Sequence, residues 1–191
     1  MTMSMASIAS ALALALPGYT EVARNHDVVV MQREGSTVID LVAEGDFAAP
    51  PERLLALLLA YDRHAGLVRG VSESRVLARG PNEVVVYQRL SLPIISDRDV
   101  TLRVTFGADG DVRWLKFAAC NQRGPGPVDG VVRIPVDEGG WQLVPIEGGR
   151  GTRARYSLRL DLAGSLPKWL GRGRAGSDIP DLFETFRKQL R

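Results

Sequence analysis

Hydrophobic positions follow two spacings along this chain. In Val100–Phe106 the residues Val100, Leu102, Val104 and Phe106 fall on one side of an extended backbone, with Thr101, Arg103 and Thr105 on the other. Thr152–Leu162 alternates in the same way. Ala154, Tyr156, Leu158 and Leu160 share one face, and Arg153, Arg155, Ser157, Arg159 and Asp161 share the opposite one. Further β-rich runs, separated by Gly, Pro and Asn turns, are Val28–Arg33, Thr37–Phe47, Glu73–Ala78, Glu83–Leu92, Val112–Cys120, Val131–Val136 and Trp141–Ile146. The longer, helical spacing occurs twice. Pro50-Pro51 opens a segment in which Leu54, Leu55, Leu57, Leu58 and Leu59 nearly encircle a helix, so most of its sides should be buried. From Asp178 to about Leu190, the residues Ile179, Leu182, Phe183, Phe186 and Leu190 form one apolar stripe. Ser177 or Asp178 is placed to cap that helix, and Arg187, Lys188 and Arg191 suit the negative end of its dipole.

The expected fold is α+β. Tyr19–Asn25 reads as a short leading helix, followed by two strands, the buried helix, about seven strands in an antiparallel meander, and the long helix. A sheet of that length curls, and the last helix would fill its concave side while leaving room for an apolar ligand.

Composition changes this picture little. The chain has 191 residues, 45% hydrophobic and 24% charged, which suits one domain with a full core. No apolar run is long enough to span a membrane as a helix. A single cysteine, Cys120, excludes an internal disulfide framework. Charge is uneven: residues 1–149 carry 14 Lys+Arg against 18 Asp+Glu, while residues 150–191 carry 10 against 4. A basic end suits an anionic membrane surface, and an Arg-rich solvated face reads equally well. Met1–Leu16 is apolar, with no Lys or Arg in it and no charge before Glu21, so it resembles a signal h-region without the usual flanks. A cytoplasmic location is favoured, with export as the alternative. Residues 1–18 are set apart as an apolar leader, and 19–191 as one domain.

Catalytic motifs are few. His26 and His64 stand in no metal-ligand spacing, and there is no nucleophile elbow, phosphate loop or dinucleotide fingerprint. His64 after Asp62-Arg63 is a candidate general base, with a surface histidine as the plainer reading. Trp169 among Lys168, Arg172 and Arg174 is the sole hint of an aromatic interleaved with basic residues, so no nucleic-acid partner is expected.

Four ordered segments carry a resemblance. They are Tyr87 followed by Leu92-Pro93-Ile94-Ile95-Ser96-Asp97-Arg98-Asp99-Val100; Gly130–Arg133; Gly139-Gly140-Trp141 through Pro145 with Gly151, Thr152 and Tyr156; and Asp161-Leu162-Ala163-Gly164-Ser165-Leu166-Pro167-Lys168-Trp169-Leu170. Together they resemble the steroidogenic-acute-regulatory-related lipid-transfer (START) domain over roughly residues 19–191. Ile95 replaces the second proline of the family's loop, and Gly171-Arg172-Gly173 replaces the asparagine that often follows its last motif.

The resemblance implies a helix-grip fold, an internal apolar cavity, and one lipid or sterol carried between membranes without a cofactor, by a monomer. Arg98-Asp99 would fix the base of a loop as an ion pair or turn clamp. Ile94 and Ile95 at its tip would be a gate, either packed under the last helix or offered to an anionic membrane. In sterol-binding members an arginine five residues beyond the RD pair points into the cavity toward a polar partner, and the matching residues here are Arg103 and Gln88. Strand alternation instead turns Arg103 to solvent, so both placements stand at this point. The remaining candidate ligand-binding residues are Leu115, Phe117, Tyr156 and Leu158 from strands, with Ile179, Phe183 and Phe186 from the helix. Two other functions stay open: a helix-grip enzyme resembling polyketide cyclases or hydratases, and a quinone or lipid-sensing chaperone. The acid–base candidates for the former, Tyr87, Tyr156, His64 and Asp62, show no cluster in the sequence.

Overall fold

The structure is a computed structural model that describes residues 16–36, 38–164 and 175–191, the last stretch without the side chains of 175–177. The leader segment before Leu16, the basic residues Lys168, Arg172 and Arg174, Trp169, and the proposed cap Ser177 therefore lie outside the described residues or side chains.

Among the described residues, ten strands form one sheet and two α-helices pack on it. The strands are β1 (Tyr19–Asn25), β2 (Val28–Arg33), β3 (Ile39–Phe47), β4 (Val71–Arg79), β5 (Glu83–Leu90), β6 (Arg98–Asp109), β7 (Val112–Ala119), β8 (Val132–Arg133), β9 (Val136–Ile146) and β10 (Gly151–Asp161). The helices are α1 (Pro51–Leu58), between β3 and β4, and α2 (Ala175–Leu190). Sheet order is β1-β2-β3-β10-β9-β7-β6-β5-β4, antiparallel throughout except that β8 runs parallel to β6.

Three expectations need correction. Tyr19–Asn25 is a strand, because His26 and Asp27 adopt left-handed φ values of 50° and 57° and close a tight hairpin onto β2. The meander is broken once. After β3 the chain crosses through α1 to the far edge and returns from β4, so that β10 closes against β3. Val131–Val136 is mostly not a strand, because Pro135 interrupts it and β9 begins at Val136. The Gly139-Gly140 pair lies inside β9 and has a steric cause. A Cβ on Gly139 would sit 2.0 Å from the Ser157 carbonyl oxygen, and one on Gly140 would sit 2.4 Å from that of Leu115.

Alternation in β10 holds. Its arginines pair across the outer face, Arg153 with Asp46 at 2.9 Å, Arg155 with Glu44 at 3.1 Å and Arg159 with Glu138 at 2.9 Å. The inner face and α2 form the core with α1, whose Leu54, Leu57 and Leu58 are buried. Phe183 sits at the centre, fully buried, with ring centroids 5.4 Å from Phe47 and 5.0 Å from Trp141.

The two ends of α2 are fastened differently. Near its C-terminus Arg187 donates to the Asp46 carbonyl through Nε at 2.9 Å and Nη2 at 2.7 Å, to the His26 carbonyl, and to Glu184 at 2.7 Å. Near its N-terminus, among the described residues, the ion pairs are long and exposed, from Arg69 to Asp178 at 3.6 Å and Asp181 at 3.7 Å. Pro180, which lacks an N–H, lies in the same end.

The loop between β5 and β6 is clamped at its base. Arg98, buried, donates to the carbonyls of Ser96 and Leu162. Asp99, 1% exposed, accepts two 2.7 Å bonds from Arg133 and a 3.2 Å bond from the Tyr87 hydroxyl. Arg98 and Asp99 therefore act as separate clamps, with different partners.

Candidate functional site

Two adjoining pockets lie between the concave face of the sheet and α2. The outer one, of about 230 Å³, is walled by Ile39 and Leu41 of β3, Leu158 and Leu160 of β10, Leu90, Leu92 and Leu162, and by Ile179 and Leu182 of α2. Arg69, Asp178 and Asp181 stand at its rim. The inner one, of about 180 Å³, is walled by Leu58, Val71, Leu102, Leu115, Phe117, Trp141 and Phe186. Val68, Leu158, Leu160 and Leu182 line both, so the two share a leucine-rich wall.

The inner pocket also holds five polar side chains: Tyr61, His64, Gln88, Asp137 and Tyr156. Tyr61 begins a single helical turn after α1 and His64 follows it, which places the two rings 4.5 Å apart. Tyr156 packs against Trp141 at 4.6 Å and Phe117 at 6.4 Å. Gln88 donates its amide to Ser74 Oγ at 3.1 Å.

Burial dictates how these groups hold protons. It pushes the His64 imidazole down to about 4, against a backbone hydrogen bond to Leu58 and the charge of Asp62, which act the other way. It pushes the Asp137 carboxyl up to about 7. Part of the Asp137 surface remains open, but what it lines is the pocket, where protein surrounds the group on nearly every side. Tyr61 and Tyr156 are raised well above ordinary phenols by burial first and by the Asp137 charge second. At neutral pH the pocket thus presents a neutral imidazole, two neutral phenols and a half-protonated carboxyl.

Residues 47–187 match the family described as Polyketide cyclase / dehydrase and lipid transport. The chain belongs to that family. No curated protein matches this polyketide cyclase/lipid-transport chain in sequence, whereas many solved structures match it in fold. A STAR-related lipid transfer protein from Xanthomonas axonopodis superposes with a TM-score of 0.82 at 24% identity, covering 91% of this chain and 99% of that one. Human STARD10 gives 0.79 at 20% identity, covering 98% and 80%. The Zhui aromatase/cyclase from Streptomyces sp. R1128 gives 0.52 at 13%, covering 79% and 93%. The fold of this family member is the START helix-grip fold, a curved antiparallel sheet with its C-terminal helix.

Of the residues singled out from the sequence, Gln88, Leu115, Phe117, Tyr156, Leu158 and Phe186 line the inner pocket, and Leu158 and Ile179 line the outer one. Two do not. Arg103 lies on the outer face of β6 and pairs with Glu83, as strand alternation requires, so it does not approach Gln88's pocket. Phe183 packs into the solid core, one helical step away from the pocket-lining Leu182 and Phe186. At the proposed gate, Ile94 is 84% exposed with a left-handed φ of 75°. Ile95, by contrast, packs partly against the core.

Sequence reasoning missed Asp137 and Tyr61. Asp137 was legible by counting back in twos along β9 from the inward Trp141 through Gly139. Tyr61 was legible only by joining it to His64 across one helical turn. A larger groove, of about 540 Å³, opens on the surface near Asp27, Asp46 and Arg153. Its Asp46 and Glu44 are already paired with arginines. Among the described residues, no group of three or more His, Cys, Asp or Glu is placed to hold a metal, and no helix is long and apolar enough to cross a membrane.

Proposed function

We propose that this protein binds a single hydrophobic ligand in the paired pockets and carries it between membranes. The observation that carries the reading is the pair of adjoining pockets with a common leucine wall, one rimmed by Arg69 and the other lined by polar side chains. A ligand burying about 400 Å² of apolar surface there gains on the order of 10 kcal/mol gross, and immobilisation consumes part of it. The Xanthomonas axonopodis protein, named for lipid transfer, shares the fold and supports the same use. Ile94, held outward at the loop tip near Leu92 of the outer pocket, is the natural membrane contact, with the basic residues Lys168, Arg172 and Arg174 attracting anionic headgroups. Mass spectrometry of a lipid extract retained by the purified protein tests binding. Transfer between donor and acceptor liposomes tests carriage, and a protein that retains no lipid refutes both.

A second reading is an enzyme of the cyclase/dehydrase kind. The observation favouring it is the carboxyl near neutrality in the same pocket as a neutral imidazole, an acid and a base in one water-poor space. A retained ligand whose mass changes with time, and stops changing in Asp137→Asn, would establish it. An unchanged ligand leaves the carrier.

A further inference from the structure

We propose that the apolar leader, Met1–Ala15, is a retained part of the fold that docks on the convex face of the sheet, over Val29, Met31 and Val42. This goes beyond the ligand-binding reading and does not depend on it.

The three residues form a second apolar cluster, separate from the core under α2. Val28 and Val30 of β2 and Leu41 and Ala43 of β3 belong to that core, so Val29, Met31 and Val42, which alternate with them, point to the opposite face. Met31 stands across from Val42 in the strand register, and Val29 across from Glu44. Charged pairs frame the patch: Asp40 takes the Tyr19 hydroxyl and Arg33 at one end, and Glu44 pairs with Arg155 at the other. On an outer face these apolar side chains should be open to water, yet Met31 is 1% exposed, Val29 2% and Val42 8%. Among the described residues, the apolar groups packed on them are Leu16 and Tyr19, both only half-buried themselves. Two such side chains do not enclose three, and the cover continues on the leader side of Leu16.

The chain enters this face through a reverse turn. Pro17 and Gly18 occupy its middle, Gly18 has a left-handed φ of 81°, and the Tyr19 N–H donates to the Leu16 carbonyl at 3.2 Å. A turn at this place sends the preceding residues back alongside β1, from the Arg33 end of the patch toward Val29. The leader suits that path. It carries no charged side chain, and Ile8, Leu12 and Leu16 recur every fourth residue. A helix over Ile8–Leu16 is about 14 Å long, and Val29 to Arg33 of an extended strand spans about 13 Å. Residues 165–174, which also lie outside the described set, are bracketed by Leu162 and Ile179 on the concave side, where both line the outer pocket. The leader is therefore the segment placed to supply the cover.

The test uses the full chain. Leu12→Asp, a change that costs nothing in a free tail, is expected to lower the urea midpoint by about 1 M. Hydrogen exchange read by mass spectrometry should show residues 8–16 exchanging about tenfold or more slower than in urea-unfolded protein. Met31→Asn should abolish that protection, while parent-like exchange in β10 and α2 shows that the variant is folded. The intact mass of the protein from the cells that naturally make it should include residues 2–15. An unchanged midpoint in Leu12→Asp, a leader exchanging at the unfolded rate, or a natural protein lacking these residues overturns the proposal. A midpoint that rises with protein concentration assigns the cover to a second copy and overturns it too, as does leader protection that appears only with phosphatidylcholine–phosphatidylglycerol vesicles.

Discussion

At about pH 5.5 the unfolded chain carries a protonated His64 and an ionised Asp137, whereas the folded protein holds a neutral imidazole and a neutral carboxyl. Folding therefore moves a proton, in effect, from one to the other without net uptake. The two contributions to stability have opposite signs. His64, depressed to about 4, contributes stability above its unfolded pKa that is lost as pH falls from about 6.5 toward 4. Asp137, raised to about 7, contributes stability at low pH that is lost as pH rises from about 4 toward 7. Each slope is about 1.4 kcal/mol per pH unit, so between about pH 4.5 and 6.5 they cancel. Neither shift draws on the other's charge, so removing one should leave the other's slope intact. Relative to the parent, Asp137→Asn should gain stability as pH rises, by up to about 4 kcal/mol between pH 4 and 8. His64→Gln should gain it as pH falls, by up to about 3 kcal/mol between pH 7 and 4. Urea unfolding followed by tryptophan fluorescence at several pH values measures these differences, and ion pairs elsewhere drop out of the comparison. Variant curves that run parallel to the parent across this range would refute the buried, proton-exchanged pair.

Leu182→Trp, in the wall shared by both pockets, should weaken uptake of a bulky polyene or sterol probe several-fold while changing the urea midpoint little, as equilibrium titration would show. Phe183→Trp, by contrast, overfills a sealed core and should lower stability by about 1–3 kcal/mol in the same unfolding assay. Asp99→Ala should destabilise by about 1.5–3 kcal/mol, because it removes the buried acceptor shared by the Arg133 guanidinium and the Tyr87 hydroxyl, and melting temperature reads the loss. Ile94→Ser with Ile95→Ser should slow liposome-to-liposome transfer with retained ligand content, and unchanged transfer rates would remove the loop tip from the membrane contact.

Much of this architecture was readable because burial is one-sided. In β10 every second residue faces inward, and in α2 a single stripe faces the sheet, so period alone set those elements. β1 was lost because its hairpin is made by His26 and Asp27, whose left-handed backbone is not the glycine that usually announces such a turn. For Arg103, local alternation predicted the correct face and the family parallel did not, because its Glu83 partner lies across the strand pair on the outside. Phe183 and Phe186 share a stripe, yet one meets Gly45 and Phe47 while the other packs on Trp141 and His64 in the wall of the inner pocket, a distinction that depends on which residues stand opposite. The polar group in the inner pocket was hidden for the same reason. Its members come from a turn, β5, β9 and β10, and only the closed sheet assembles them.

The unequal fastening of α2 makes it a beam with a fulcrum. Arg187 grips two backbone carbonyls and a carboxylate at one end, one residue from Phe186 of the inner pocket. The opposite end, with Pro180 and the loose Arg69 pairs, lies over the outer pocket. A lifting force therefore swings the far end widest and leaves the pivot almost still. A molecule lodged head-inward would be uncovered from its tail first, and its polar end would be the last to lose its walls.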